Sequence, residues 1–298
     1  MRAGRRAQGA RPRGVRHANS LRVPRGGACP RFLTRYDFAA IPGFANHALN
    51  FVAETESTNT DLKNDWKSAV FSPRILVANH QRDGRGQFSR PWKDNPGKSL
   101  LFSFSWEFST AVFFSLPIAL PLLTGIALHR AILETVSGHE NPSAPLWLKW
   151  PNDLLVGERK LAGILVESTF FSQLVRVVVG VGVNLEGTLF LPIGSDPTSF
   201  PPISLEETGV VPSSTKLLFA ILSEWYKVVL AKGNPVDLEK EFVLRSRPMW
   251  EKKWLVTLPS GKKLRGKAVG LAPQGFLLFR SDEDGQTFIL KSAVRLSC

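Results

Sequence analysis

Cysteine is almost missing from this chain. Cys29 and Cys298 are the only two among 298 residues, one near each end. They can build neither a disulfide framework nor a thiolate metal site, which suits a reducing compartment. Lysine and acidic residues are absent from the first 36 residues, which instead hold ten arginines: Arg2, Arg5, Arg6, Arg11, Arg13, Arg16, Arg22, Arg25, Arg31 and Arg35. The formal net charge of +13 therefore leaves +3 for residues 37–298, so the folded part is near balance and carries no global nucleic-acid signature. The arginine-rich start has three readings: a transit peptide, a solvated basic arm, or translated sequence upstream of the true start. A long unbroken apolar run is lacking too. Residues 111–128 come nearest, but Ser115, Pro117, Pro121, Thr124 and Gly125 interrupt them. They read as a strand end, a turn and a helix rather than a membrane span. The histidines His17, His47, His80, His129 and His139 show no ligand spacing. No Ser/His/Asp arrangement is suggested. Residues 1–48 are too short and too rich in Gly and Pro for a winged-helix DNA reader.

What is present reads as globular: 43% hydrophobic and 21% charged residues over a length that suggests two domains. Residues 49–55, 74–79, 99–108, 146–150, 154–156, 160–168 and 174–184 have strand patterns. Gly157-Glu158 sits at a hairpin turn. Residues 60–70, 120–136, 216–231 and 236–244 have helical spacing. Ser57, Thr58 and Asn59 offer N-cap oxygens to the first of these, and Gly138 stops the second. Residues 80–98 and 187–213 read as loops. Beyond Pro248 the pattern changes to five short strands (254–258, 264–271, 275–280, 286–290, 294–296), a small barrel. The expected organisation is a tail over 1–45, an α+β domain over 46–247 and a β-barrel over 248–298.

Four segments carry chemistry. Ser57-Thr58-Asn59 stands at a helix start. In Gln81-Arg82-Asp83-Gly84-Arg85-Gly86-Gln87-Phe88-Ser89-Arg90-Pro91-Trp92, two glycines flank Arg85 and let backbone N–H groups approach a ligand. Arg85 and Arg90 supply planar cationic donors suited to carboxylate and phosphate. In Lys149-Trp150-Pro151-Asn152-Asp153, the acid suits Mg²⁺ beside a triphosphate. Lys160 follows the next turn and can face back to the same place, and Gly163 admits a ligand close to the strand. Gly180-Val181-Gly182-Val183-Asn184 ends the last strand of the domain. Singly, each segment also reads as an ordinary turn, a core aromatic or a solvated edge lysine.

Their order is more specific than any one of them. Ser-Thr-Asn, Gly-Arg-Gly, Lys-Trp-Pro-Asn-Asp, Lys-Leu-Ala-Gly-Ile-Leu-Val-Glu and Gly-Val-Gly-Val-Asn, spread over about residues 50–190, resemble the biotin–protein ligases. The segment Lys160 to Glu167 looks more like the bacterial branch than the eukaryotic holocarboxylase synthetases. The resemblance implies an α+β fold: a mixed-sheet catalytic domain of the class II aminoacyl-tRNA synthetase and biotin ligase type, then a small Src-homology-3-like barrel. It implies a monofunctional enzyme without a DNA-binding domain. Its substrates are biotin and ATP with Mg²⁺, and its product is a biotinylated lysine on a biotin carboxyl carrier domain, made through biotinyl-5′-AMP. It also implies a cytoplasmic monomer or homodimer with no specific nucleic acid and no membrane, or an organellar enzyme if the arginine-rich start is a transit peptide.

Carried over residue by residue, the resemblance implies catalytic roles for Lys160, Arg85 and Asp153. Biotin contacts fall on Ser57, Thr58, Asn59, Gln81, Gly84, Arg85, Lys160, Gly163, Ile164 and Gly180. ATP or adenylate contacts fall on Arg85, Gln87, Arg90, Trp92, Asn152, Lys160 and Asn184, with Asp153 as the metal-side acid. Both reactants are anions, so preorganised cations favour the transition state. A glycine-rich loop would shield the hydrolysable adenylate from water. One departure stands out: Gln87 replaces the second arginine of the usual Gly-Arg-Gly-Arg, and Ser89 replaces a glycine. Gln87 keeps hydrogen bonding but loses a charge, so weaker adenylate retention is expected. The alternatives are a lipoate or octanoate ligase on the same scaffold, a non-catalytic biotin-binding protein, and a decayed ligase.

Overall fold

The computed structural model describes residues 38–67, 70–136, 144–187, 200–209, 211–230, 235–258, 260–291 and 295–297. β1 (Ala48–Thr55) leads through Ser57 into α1 (Thr58–Asn64), and Pro73 precedes β2 (Arg74–Gln81). The polar loop then crosses to β3 (Ser99–Ser109), which runs directly into α2 (Thr110–Phe114) and, after a turn, α3 (Leu120–Val136). Four strands follow: β4 (Leu146–Lys149), β5 (Asp153–Val156), β6 (Arg159–Phe171) and β7 (Leu174–Asn184). α4 (Ser214–Val229), α5 (Pro235–Arg245) and α6 (Arg247–Glu251) close this part. β8 (Lys253–Thr257), β9 (Lys263–Ala272), β10 (Phe276–Ser281), β11 (Thr287–Leu290) and β12 (Arg295–Ser297) form a second sheet.

The first sheet has seven strands in the order β1-β2-β3-β7-β6-β5-β4, with β1 and β2 parallel and the other pairs antiparallel. The valine run explains the centre. Val175 to Val181 are buried without a break because β7 has strands on both edges and helices over both faces. α3 and α4 pack together, and α3 lies on β6, so that face joins the large core. α1 lies on the opposite face over β2, β3 and β7, where Leu62, Leu76 and Val178 form a smaller cluster. The second sheet is antiparallel, in the order β11-β10-β9-β8-β12, and matches the expected barrel. It is fastened to the preceding part of the chain: the Trp150 indole donates to Gly275 O at 3.0 Å, and Ala119 N donates to Gln274 O at 2.8 Å.

Some expectations are corrected. The expected tail reached residue 45, but Phe38, Ile41 and Phe44 within it are buried. Phe44 packs edge-on to Phe104, Trp106 and Trp225, so burial of large aromatic area holds this segment to the core. The first helix is shorter than expected, ending at Asn64 before a 3-10 turn over Asp65–Lys67. α2 and α6, of five residues each, were not expected; such short helices offer too little periodicity to read. The run over 111–128 opens in α2 rather than in the expected strand end, then gives the expected turn and helix, and among the described residues no helix is long and apolar enough to cross a membrane. The arginine-rich start, Cys29, His17, Cys298, His139, the Gly138 stop and residues 188–199 of the loop expected over 187–213 lie outside the described residues.

Candidate active site

On the α1 face, β6 and β7 are bare of side chains at Gly163, Gly180 and Gly182, with Gly163 opposite Gly182 in the register and Gly180 opposite Leu165. This floor is filled by what stands above it. A Cβ on Gly180 would lie 2.0 Å from Asn59 Oδ1, and one on Gly182 would lie 2.7 Å from the Trp92 ring. Gly163 is covered by the same ring, with 2.8 Å to a built Cβ. These glycines are therefore required for close approach rather than for backbone freedom.

At one end of the floor is a buried polar cluster. The Gln81 side-chain carbonyl accepts from Thr58 N at 2.8 Å and from Thr58 Oγ1 at 3.1 Å, so it caps α1. Ser57, the expected cap, makes no capping bond and is buried. Thr58 and Ser103 hydroxyls lie 2.6 Å apart, and Ser103 donates to Asn59 Oδ1 at 2.6 Å. The Asn59 amide then donates to Leu165 O and Glu167 Oε2, and Glu167 is also paired with Lys63. Burial makes an unpaired member costly, so the cluster is rigid.

At the other end are the charges. Lys160 Nζ bonds Asp153 Oδ1 at 2.6 Å and stands 5.4 Å from the Trp92 ring centroid. Lys149 Nζ is 3.6 Å from Asp153 Oδ2 and is buried under the rings of Phe200 and Trp254, at 5.5 and 5.9 Å. Burial pushes the Lys149 pKa down, with Asp153 opposing. Burial alone would raise the Asp153 carboxyl, but Lys160 and Lys149 outweigh it and hold it below the usual carboxylate range. The strip carrying Lys160 is fixed by a neighbouring segment: Lys160 N donates to Pro201 O at 2.7 Å and Ile203 N donates to Lys160 O at 3.0 Å. Asn184, at the end of β7, donates to Ile203 O at 3.0 Å, while its buried Oδ1 has no partner among the described residues and could accept from an amino group.

The loop over 82–98 is tied back on itself. Trp92 N donates to Gly84 O at 2.7 Å and Gly86 N to Arg90 O at 2.7 Å. Beyond Trp92, Asp94 Oδ2 meets His80 Nδ1 at 3.0 Å. Arg90 lies over the exposed Phe88 ring, 5.5 Å away, and Gln87 opens the 3-10 turn between them.

The expected residues thus divide. Thr58, Gln81, Gly163, Gly180, Lys160, Asp153, Trp92 and Asn184 converge on the floor and its two ends. Ser57 and Gly84 are buried beside it. Arg85 does not meet Lys160: it is exposed and pairs with Asp83, so the two cations sit on separate carboxylates and are joined only through the Trp92 loop. Ile164 is a correction. Adjacent strand residues face opposite sides, so Ile164 points away from the Gly163 floor toward α3, within reach of Gly125. Asn152 spends its amide on Ile164 O at 2.7 Å, which makes it a clamp holding Asp153 in place. Asn59 spends both ends of its amide inside the polar cluster, and so it supports the floor. Asp153 does not fit a Mg²⁺ ligand, because both its oxygens face ammonium groups, and among the described residues no three His, Cys, Asp or Glu cluster. Lys149, Ser103, Glu167 and the His80–Asp94 pair were missed. Lys149 and Glu167 stood inside recognised motifs, which was their one signal.

A glycine-floored mixed sheet with a lysine and a buried polar cap at its two ends defines a ligand-binding α+β domain, and the solved structures it resembles are of one kind. The Aquifex aeolicus biotin protein ligase in complex with biotin and ATP superposes with a TM-score of 0.64 at 24% identity, covering 83% of this chain and 97% of that one. The Leishmania major enzyme with biotinyl-5-AMP gives 0.55 at 22%, covering 82% and 98%. At such identities the likeness shows the fold. Residues 51–184 match the biotin/lipoate A/B protein ligase family. The biotin–[acetyl-CoA-carboxylase] ligase of Mycobacterium tuberculosis is 30% identical over 254 residues, covering 82% of this chain and 86% of that one. That of Paracoccus denitrificans is 34% identical over 164 residues, covering 53% and 63%. This chain belongs to the biotin/lipoate A/B protein ligase family.

Proposed function

We propose that the chain is an ATP-dependent biotin–protein ligase that forms biotinyl-5′-AMP and passes biotin to a lysine of a biotin carboxyl carrier domain. The observation that carries this reading is Lys160, held by Asp153 at 2.6 Å and presented at the end of a glycine floor whose far end is polar. The ureido ring of biotin suits the polar end at Thr58, Gln81 and Ser57, where Gly180 makes room for the supporting Asn59, and the valeryl chain would lie over Gly163 once the Trp92 ring moves off it. Lys160 would exchange Asp153 for the biotin carboxylate and the α-phosphate. The carboxylate oxygen attacks the α-phosphorus, the bond to the β-phosphate oxygen breaks, and pyrophosphate leaves. Charge growing on the phosphoryl oxygens is met by Lys160, and by Arg85 and Arg90 once the loop closes and releases Arg85 from Asp83. Gln87 and Trp92 would close over the adenylate, and Asn184 Oδ1 would accept from the adenine amino group. In the second step the acceptor amine attacks the acyl carbon and AMP departs. Asp153, freed by Lys160, takes the proton lost from nitrogen. ATP would bring its own Mg²⁺ on its phosphates, without a ligand from Asp153.

Lipoate or octanoate transfer is disfavoured, since the relatives named above are biotin ligases. We further read residues 38–247 as the catalytic domain, since Phe38, Ile41 and Phe44 join its core, and 248–298 as the barrel, acting as a monomer or homodimer in the cytoplasm, with no specific nucleic acid. Pyrophosphate release with biotin but not lipoate, and avidin detection of a labelled carrier domain, test the assignment. Release with lipoate alone would overturn it.

A further inference from the structure

β4 is an edge strand of the first sheet, and a lysine on an edge ordinarily keeps its ammonium in water. Lys149 does not: it is 6% exposed and roofed by the rings of Phe200 and Trp254. The register shows where it stands. Lys149 is opposite Asp153, Asp153 opposite Gly163, and Gly163 opposite Gly182, so this lysine closes the same row that forms the glycine floor. Among the described residues its ion-pair partner is Asp153 alone, with Nζ 3.6 Å from Oδ2, while Lys160 holds Oδ1 at 2.6 Å. One buried carboxylate therefore faces two ammonium groups.

Stability does not account for the second of them. Lys160 by itself neutralises Asp153, and burying a further charge has a desolvation cost that an ion pair seldom repays. The balance changes once Lys160 turns to the substrate. Without Lys149, Asp153 would then be a buried carboxylate with no counter-charge, inclined to take a proton before the acceptor amine arrives. No neighbouring charge replaces Lys149. Lys160 and Arg90 act on it as like charges, and its covers Phe200 and Trp254 are uncharged. α5 and α6 also touch β4, but Glu241 is spent on Arg130 and Arg245, and Glu251 on Arg247.

We infer that Lys149 is a positioning residue for the transfer step: it holds Asp153 Oδ2 and supplies the counter-charge that remains when Lys160 has moved; the inference rests on the ligase reading. In that step the acceptor nitrogen bonds the acyl carbon. The carbon–oxygen bond to the phosphate breaks with its electron pair on AMP, and a proton from nitrogen passes to Asp153 Oδ1. Lys149 touches no reacting atom. It acts through Asp153, keeping Oδ1 aimed and unprotonated until the amine attacks.

The test compares the full wild-type chain with Lys149→Met and with the milder Lys149→Gln, using a recombinant biotin carboxyl carrier domain as acceptor. Transfer is timed in a single turnover from added biotinyl-5′-AMP, and adenylate formation by biotin-dependent pyrophosphate release. Lys149→Met is expected to slow transfer by about tenfold at neutral pH, part of what a positioned base contributes, and to slow adenylate formation less. Its Tm should hold, because Asp153 keeps Lys160 and methionine suits the apolar roof. The ratio of variant to wild-type transfer rate should fall as pH is lowered. Without Lys149 the Asp153 carboxyl rises, so the variant's base is protonated first. The acceptor amine titrates alike in both reactions and cancels from the ratio. In an Asp153→Asn background, Lys149→Met should cost transfer nothing further. A ratio flat with pH, an equal loss in both steps, or a full additional loss in the Asp153→Asn background overturns the proposal. So does unfolding of both variants, which would make Lys149 a structural residue. Absence of biotin-dependent pyrophosphate release in the wild-type chain would instead sink the ligase reading itself.

Discussion

The Lys160 ammonium lies 5.4 Å from the ring centroid of Trp92, and that ring rests on Gly163 and Gly182. One indole therefore couples the arginine-bearing loop to Lys160 and to the sheet. Removing it should unfasten the loop without unfolding the domain. Trp92→Ala is expected to speed biotinyl-AMP release by about tenfold, in keeping with a desolvated cation–π contact of roughly 1–2 kcal/mol. Rapid filtration of labelled adenylate measures this, and an unchanged release rate would count against the coupling.

In the proposed mechanism Lys160 is the cation between the polar pocket and the Gly84–Trp92 loop. Lys160→Ala should lower the rate of adenylate formation by about 10²–10³, as for loss of one preorganised donor. Arginine should rescue poorly, because its planar fork cannot take the place of a compact ammonium beside Asp153. Single-turnover pyrophosphate release is the readout.

The glycine floor predicts a stability effect separable from catalysis. In Gly180→Ala the new Cβ would lie 2.0 Å from Asn59 Oδ1 and force the buried amide network apart. Overpacking of this kind typically costs about 1–3 kcal/mol, and breaking paired buried polar groups adds to it. A drop of several degrees in Tm is expected. Gly209→Ala, which meets nothing within 4 Å but has φ +92°, serves as a control for backbone strain alone.

Buried His129 and half-buried His47 set a pH dependence. Burial lowers the His129 pKa to about 4, assisted by Arg245, and burial lowers His47 to about 4 against its bond to Ser105 O. Both are near 6.5 when unfolded. The folded state thus binds fewer protons than the unfolded one below pH 6.5, so stability is full above that value and falls as pH drops toward 4. His129→Gln should flatten this decline in urea midpoints measured between pH 7 and about 4.5. An unaltered slope would remove His129 from the account.

Gln87 tests the departure from the family pattern. Gln87→Arg restores a cation beside Arg90 on the loop and should slow adenylate release. An equal release rate in both chains would overturn the expectation that Gln87 weakens retention.

The two sheets were legible because strands alternate along short, glycine-bounded runs, and α3 and α4 because their apolar spacing extends over four turns. The Ile164 error was also legible: a residue adjacent to Gly163 on a strand has to face the other way. Lys149 was different. Its covers, Phe200 and Trp254, come from far along the chain, so no local pattern could show that this lysine is buried. Nor could the sequence show that Asn59 meets Glu167, or that Arg85 rests on Asp83 while Lys160 rests on Asp153.

By itself, then, the sequence determined the strand and helix periods, the glycines and the order of charged motifs, because these depend on residues close together in the chain. Which side chains share a cavity was decided only by the tertiary structure. Sheet register sets whether Gly163 meets Gly182, and packing between distant segments sets which charge loses water and which carboxylate holds it.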